Sequence, residues 1–103
     1  MATQQTQDQP SHHEVDTFVR HESLFKVHYQ SHYATSEYDF PHYRLAYKYG
    51  FDLTLDQDNL KLNWKSVEPQ ARQNWNEKLM GLWSQHHEAV LYGWEEGMKL
   101  NGG

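Results

Sequence analysis

Apolar and aromatic side chains recur along this chain at intervals of three and four residues, which is the spacing of one face of an α-helix. The pattern predicts four helices. The first is expected over residues 17 to about 33 and the second over residues 40–53, with Asp16 and Asp39 as their N-caps. The inner face of the second helix is predicted to hold Leu45, Ala46, Tyr49 and Leu53.

A third helix is predicted to begin at Ser66-Val67-Glu68-Pro69, because proline is favoured in the first turn, and to stop at Gly81 as a left-handed C-cap. Its apolar face comprises Ala71, Trp75, Leu79 and Leu82. A fourth helix begins at Trp83, and its apolar face comprises Val90, Leu91, Trp94 and Met98. No segment shows the strict alternation typical of a strand. The sequence therefore predicts an all-α fold, a compact bundle of about four helices in one domain over residues 15–100.

Two of the predicted helices resemble each other. Residues 40–52 align without a gap with residues 83–95, an offset of 43 residues, and six of the thirteen pairs match in character. Both segments place small residues four apart on one ridge, which lets two helix backbones approach more closely than usual. The residues predicted to form this close crossing, or an interaction surface, are Ala46, Tyr49, Gly50, Ala89, Tyr92, Gly93 and Trp94. The crossing is expected between helices two and four of one chain, or between two chains of a symmetric dimer.

Composition narrows the classes of function. The 103 residues include no cysteine, which excludes disulfides, thiol nucleophiles and thiolate metal sites, and the net charge of −5 argues against a nucleic-acid partner. No apolar run is long enough for a membrane span and no signal peptide is recognisable, so we expect a cytoplasmic protein. Residues 1–14 are almost devoid of apolar side chains and predict a disordered tail. The abundant aromatic residues are expected in the core first, with Tyr38, Tyr43, Tyr47 and Trp83 as alternative exposed anchors.

Histidines provide the one candidate for metal chemistry. His28 and His32 lie four residues apart on one helix face, a spacing at which two imidazoles can chelate a divalent ion, and Glu22 or Asp39 could add a carboxylate. The alternative is a solvated histidine face, since the chain has eight histidines. No phosphate loop, metalloprotease motif or nucleophile elbow is present, and we therefore expect no enzymatic activity.

Three motifs carry a resemblance to a known family. Residues 43–51, 64–75 and 83–94 resemble the successive signatures Y-x-x-A-Y-R-Y-G-Y, W-x-x-V-E-P-x-x-R-x-x-W and W-x-x-x-x-x-A-V-x-x-G-W of a small bacterial family of unknown function. Lys48 and Phe51 depart from the first signature. The resemblance implies a stress-associated protein with no assigned enzymatic activity and no cofactor.

Together these observations lead to one functional expectation and one alternative. We expect a non-catalytic, stress-associated helical module that acts through protein–protein contacts or self-association, as a homodimer or larger homo-oligomer. The alternative is a histidine-dependent divalent-metal-binding protein centred on His28 and His32.

Overall fold

The computed structural model describes residues 17–101, and it confirms the all-α prediction for this part of the chain. The predicted tail over residues 1–14 lies outside the described residues. Six helical elements follow one another, and we number the α-helices in chain order. They are α1 (Glu22–His32), α2 (Phe40–Leu53), a 3₁₀ turn (Asn59–Lys61), α3 (Trp64–Asn74), α4 (Glu77–Met80) and α5 (Trp83–Asn101). Among them, no helix is both long enough and apolar enough to cross a membrane.

The two segments that resemble each other form the helices whose limits were predicted best. α2 spans Phe40–Leu53 as expected, because the Asp39 side chain accepts a hydrogen bond from the His42 N–H and Pro41 lies in the first turn. α5 begins at Trp83, as predicted. Local capping signals therefore determined these limits.

The first helix lies where it was predicted but is interrupted once, since residues 17–20 form a helical turn and α1 proper begins at Glu22, after His21. The predicted start of the third helix was wrong. The third begins at Trp64 rather than at Ser66, because the Asn63 side chain caps it by accepting from the Ser66 N–H over 3.0 Å. Pro69 therefore lies inside α3 and not in its first turn.

The predicted apolar face of the third helix is confirmed at Ala71 and Trp75, which are buried, but was wrong at Leu79 and Leu82. The helix stops at Asn74, Trp75 is extended, and the Asn76 side chain caps a separate short helix, α4. This break rotates the following residues relative to α3, so Leu79 is 78% exposed and Leu82 is 52% exposed. On α2, Leu45 is likewise exposed, because its neighbour Ala46 occupies the ridge toward α5.

The close crossing predicted from the small residues lies within the chain, between α2 and α5. A Cβ atom added at Gly50 would overlap the backbone carbonyl of Val90, and one added at Gly93 would overlap that of Tyr47. Val90 lies three residues before Gly93 on α5, and Tyr47 lies three residues before Gly50 on α2. The two contacts are therefore equivalent: exchanging the two helices turns one contact into the other. The two segments that align at an offset of 43 residues are thus helices related by a pseudo-twofold axis, in direct backbone contact.

The two crossing helices run parallel, with residues about 43 positions apart facing each other. Near their N-termini, His42 lies against His86. Near their C-termini, the Thr54 hydroxyl accepts a hydrogen bond from the Asn101 side chain over 3.0 Å, and Thr54 also fills the space beside Gly97.

Aromatic side chains cover the crossing, as the composition led us to expect. Phe25 of α1 is fully buried and contacts both helices, with its ring 5.2 Å from that of Tyr47 and 5.8 Å from that of Tyr92. On another side, α3 is attached by a hydrogen bond from the Tyr49 hydroxyl to the Ala71 carbonyl. Most of the aromatic residues therefore belong to the core.

Replacing Gly50 or Gly93 by alanine should lower the free energy of unfolding by about 2–3 kcal/mol, because the new methyl group meets backbone that cannot move aside. Gly97→Ala is the comparison variant, since its methyl would meet the side chain of the buried Thr54 and not backbone; we expect a smaller loss, because a side chain can shift, and all three replacements gain the same ~1 kcal/mol of helix propensity. Urea unfolding of the wild type and of the three variants measures their free energies of unfolding. Equal stabilities for Gly93→Ala and the wild type would contradict a backbone-to-backbone crossing.

Candidate functional site

Two histidines meet between the N-terminal ends of α2 and α5. The Nε2 atoms of His42 and His86 lie 3.0 Å apart, with His86 fully buried and His42 half-buried. Nδ1 of His86 lies 2.7 Å from the Leu82 carbonyl oxygen. Because a carbonyl oxygen only accepts, this Nδ1 carries the proton of the neutral His86 ring, which leaves its Nε2 as the acceptor and makes Nε2–H of His42 the donor.

Aromatic rings enclose this histidine pair. The Tyr38 ring stacks on His42 at 4.0 Å between ring centroids, and the Tyr43 ring stacks on His86 at 4.8 Å. The Trp75 ring lies 5.6 Å from His86 on another side. The pair is therefore held in a fixed orientation and is shielded from water on several sides.

The segment between α3 and α5, residues 75–82, lies against the pair, and we call it the strap. Gly81 has a positive φ of 97°, which favours glycine, and a Cβ atom there would lie 2.6 Å from Cε1 of His86. The Gly81 carbonyl accepts a hydrogen bond from the Trp75 indole N–H over 2.7 Å, and the Glu77 carboxylate accepts one from the Trp83 N–H. These bonds fold the strap over the imidazole of His86.

Burial sets the protonation state of His86. Loss of hydration lowers the pKa of His86 below its ordinary value of 6.5, the Leu82 carbonyl opposes this shift, and the neighbouring His42 adds to it. Among the described residues, no carboxylate forms an ion pair with either histidine. His86 is therefore neutral at pH 7, and no carboxylate of the described residues pairs with it.

Among the exposed apolar side chains are two leucines of the strap and one of α2, which we call the leucine rim: Leu45, Leu79 and Leu82. Leu79 and Leu82 belong to the strap, on either side of Gly81. On α2, His42 lies three residues before Leu45 and Tyr49 lies four residues after it, so the three side chains share one edge of the helix. Both neighbours face the strap side, since His42 binds His86 and the Tyr49 ring lies 5.3 Å from that of Trp75. An open groove of about 850 Å³ along residues 72–78 adjoins the strap.

The histidines that were predicted to bind metal lie elsewhere. The rings of His28 and His32 stack at 4.1 Å with an angle of 14° between their planes. His28 also stacks on Tyr92, and its Nδ1 is hydrogen-bonded to the Tyr47 hydroxyl. Since nitrogen lone pairs lie in the ring plane, two parallel rings do not direct them at one ion in this arrangement.

The carboxylates suggested for that metal site have other partners. Glu22 pairs with Arg44 over 2.9 Å, and Asp39 caps α2. Within residues 17–101, no group of three or more metal-ligating His, Asp or Glu side chains comes together. Metal binding at His28 and His32 stays a prediction.

The remaining predicted interaction residues are packed inside the chain. Ala46, Gly50, Ala89 and Gly93 form the crossing itself, and Trp94 packs on Trp64 at 5.9 Å. Tyr49 and Tyr92 are half-buried by their contacts with neighbouring helices. Of the four suggested aromatic anchors, Tyr43, Tyr47 and Trp83 are buried, so the idea that they are exposed was wrong.

Sequence reasoning missed the histidine pair, although a signal for it exists. His42 lies four residues before Ala46, and His86 lies three residues before Ala89. Once the two small-residue ridges are placed in a parallel crossing, the residues one turn earlier on each helix must face each other. The sequence analysis did not establish whether the two helices run parallel or antiparallel, and it therefore could not pair the histidines.

We expect the protein to lose stability as the pH falls below about 6.5, because the unfolded chain then binds a proton that the folded state, with its lowered His86 pKa, does not. Above pH 6.5 this contribution is fully present. Urea unfolding at pH 8 and pH 5.5 should show a smaller loss for His86→Gln than for the wild type. His87→Gln, which removes the adjacent half-buried histidine, should retain the full loss. Identical pH dependences for the two variants would contradict this assignment.

Comparison of the chain with models of known families, with curated proteins and with solved structures finds no match. The resemblance carried by the three motifs stays a prediction. The function of the site is therefore inferred from its own residues, which offer a hydrogen-bonded imidazole pair, a strap held over it and an exposed leucine rim.

Proposed function

We propose that the protein is a non-catalytic helical module that self-associates through the leucine rim, and that it serves in a bacterial stress response, as the family resemblance implies. The exposure of the rim is the observation that carries the proposal. Leu79 alone is 78% exposed, on a helix of only four residues. Water-exposed apolar side chains gathered on one side of a domain are typical of an interface.

The surroundings of the rim favour a second copy of the same chain as its partner. Glu77 and Lys78 carry opposite charges immediately before Leu79, and Arg72 lines the adjoining groove. In a twofold dimer the same patch meets itself, so a patch with an apolar centre and charges of both signs at its margin is self-complementary.

The absence of catalysis in this proposal is supported by the closure of the histidine pair. His86 is fully buried, and its ring is covered by Gly81 of the strap and by the Tyr43 ring. His42 carries the Tyr38 ring on one face. A substrate would have to displace the strap or Tyr38 to reach either imidazole.

Light scattering after size exclusion tests self-association directly. We expect the wild type to show at least twice the 12.3 kDa of one chain, and Leu79→Ser combined with Leu82→Ser to return it to one chain. Val27→Ser is the matched control, because Val27 is 60% exposed on α1, outside the rim, and its replacement should leave the mass unchanged.

A wild-type mass of one chain at high protein concentration would contradict the proposal, as would an assembly that survives the double leucine replacement. Repeating the measurement with chelator and with added zinc distinguishes self-association through the leucine rim from the alternative function, metal binding. A mass that changes with zinc in the wild type but not in His32→Gln would favour metal binding at His28 and His32 instead.

A further inference from the structure

We propose that the hydrogen-bonded His42–His86 pair is a latch for the strap, and that acid releases residues 75–82 from the bundle while the crossing of α2 and α5 stays intact. The latch goes beyond the proposed self-association and does not depend on it. It assigns to the buried pair a conformational role that opens the core beneath the strap.

The strap is attached to the bundle mainly through Trp75, whose ring lies 5.3 Å from that of Tyr49 and 5.6 Å from those of His86 and Trp83. Met80 is partly buried against the core, whereas residues 76–79 are exposed. The Glu77–Trp83 hydrogen bond ties the strap to α5, and the Trp75–Gly81 bond lies within the strap. Because Gly81 lies directly on the His86 ring, displacing that ring removes part of the surface on which the strap rests.

The hydrogen-bond arrangement tolerates one additional proton but not two. A proton on Nδ1 of His42 leaves its Nε2–H in place as the donor to His86. A proton on Nε2 of His86 is accommodated in the same way when His42 carries its own hydrogen on Nδ1 and accepts at Nε2. With both rings protonated, both Nε2 atoms carry hydrogens and face each other over 3.0 Å, so full protonation breaks the pair.

Within residues 17–101, no group around His86 compensates a positive charge. The titratable groups that face it are His42 and Tyr43 from α2 and Tyr38 from the α1–α2 connection, and none of them is a carboxylate. In the strap itself, the Glu77 carboxylate is engaged by the Trp83 N–H. A buried charge without a partner is strongly unfavourable, so a protonated His86 is stable only when its ring reaches water. Burial also lowers the pKa of His86, so release occurs on the acidic side of pH 6.5.

The centre of the crossing carries no titratable side chain, and His28, the other described histidine whose pKa burial lowers, lies outside it on the aromatic cover. Gly50 and Gly93 meet backbone atoms, and the neighbouring Ala46 and Ala89 are buried and carry no charge. Release of the strap therefore leaves the contact between α2 and α5 in place.

Two tryptophan indoles report on the two regions separately in a ¹⁵N-labelled sample. The Trp75 N–H donates to the Gly81 carbonyl and its ring packs on Trp83 and His86 of α5, so its resonance reports whether the strap lies on the bundle. Trp94 is buried against Trp64 and reports the rest of the bundle. Between pH 8 and pH 5 we expect the Trp75 indole resonance to move to the position of a water-exposed indole, while that of Trp94 stays in place.

Three variants make the test specific. In His86→Gln the Trp75 resonance should no longer respond to pH, whereas in His87→Gln it should respond as in the wild type. Gly81→Ala should place the Trp75 resonance at its acid position already at pH 8, because the added methyl meets the His86 ring and the backbone is strained. This variant keeps the test valid if His86→Gln does not fold.

Three results would overturn the latch. The first is a common midpoint for Trp75 and Trp94, which would mean global unfolding. The second is a Trp75 resonance that stays in place down to pH 5 in the wild type. The third is an unchanged pH response of Trp75 in His86→Gln.

Discussion

The backbone contact between α2 and α5 is the constraint on which the rest of this structure depends. Gly50 and Gly93 allow each helix to lie on a carbonyl of the other, and any side chain there would separate them. Because the helices are parallel, the position of this glycine contact also determines which residues of the two helices meet toward their N-termini and toward their C-termini. His42 is brought to His86 at one end, and Thr54 to Gly97 at the other. The histidine pair is thus a geometric consequence of the crossing.

A crossing made of glycine and alanine leaves little apolar surface at its centre, and this explains the aromatic composition of the chain. Large rings must supply the burial that small residues cannot, because burial of apolar area is the main source of stability. Phe25 does so by spanning both helices, with its ring near those of Tyr47 and Tyr92. On the other side, Trp64 of α3 covers Trp94. Close backbone approach and aromatic enrichment are therefore two aspects of one packing solution.

The elements that could be predicted from the sequence are those with local causes. Asp39 and Pro41 determine the start of α2, and small residues repeated four apart on two helices are enough to predict that those helices cross closely. The break after α3 could not be predicted in this way, because Trp75 leaves the helix to donate to the Gly81 carbonyl, a partner six residues ahead. A helical spacing of apolar residues continues through that break, so the pattern placed Leu79 inside. The histidine pair required the direction of one helix relative to another, which no local pattern contains.

Histidine at position 86 makes the packing at this end of the crossing sensitive to pH, which an apolar residue would not do. In the internal alignment, position 86 corresponds to Tyr43, and the two rings stack on each other near the N-termini of their helices. A phenylalanine at position 86 could fill this space and support Gly81 at any pH. An imidazole fills it only while neutral, and its ordinary pKa lies closer to pH 7 than that of any other side chain. The rigid crossing thus presents, beneath the strap and the leucines it carries, a support whose charge depends on pH.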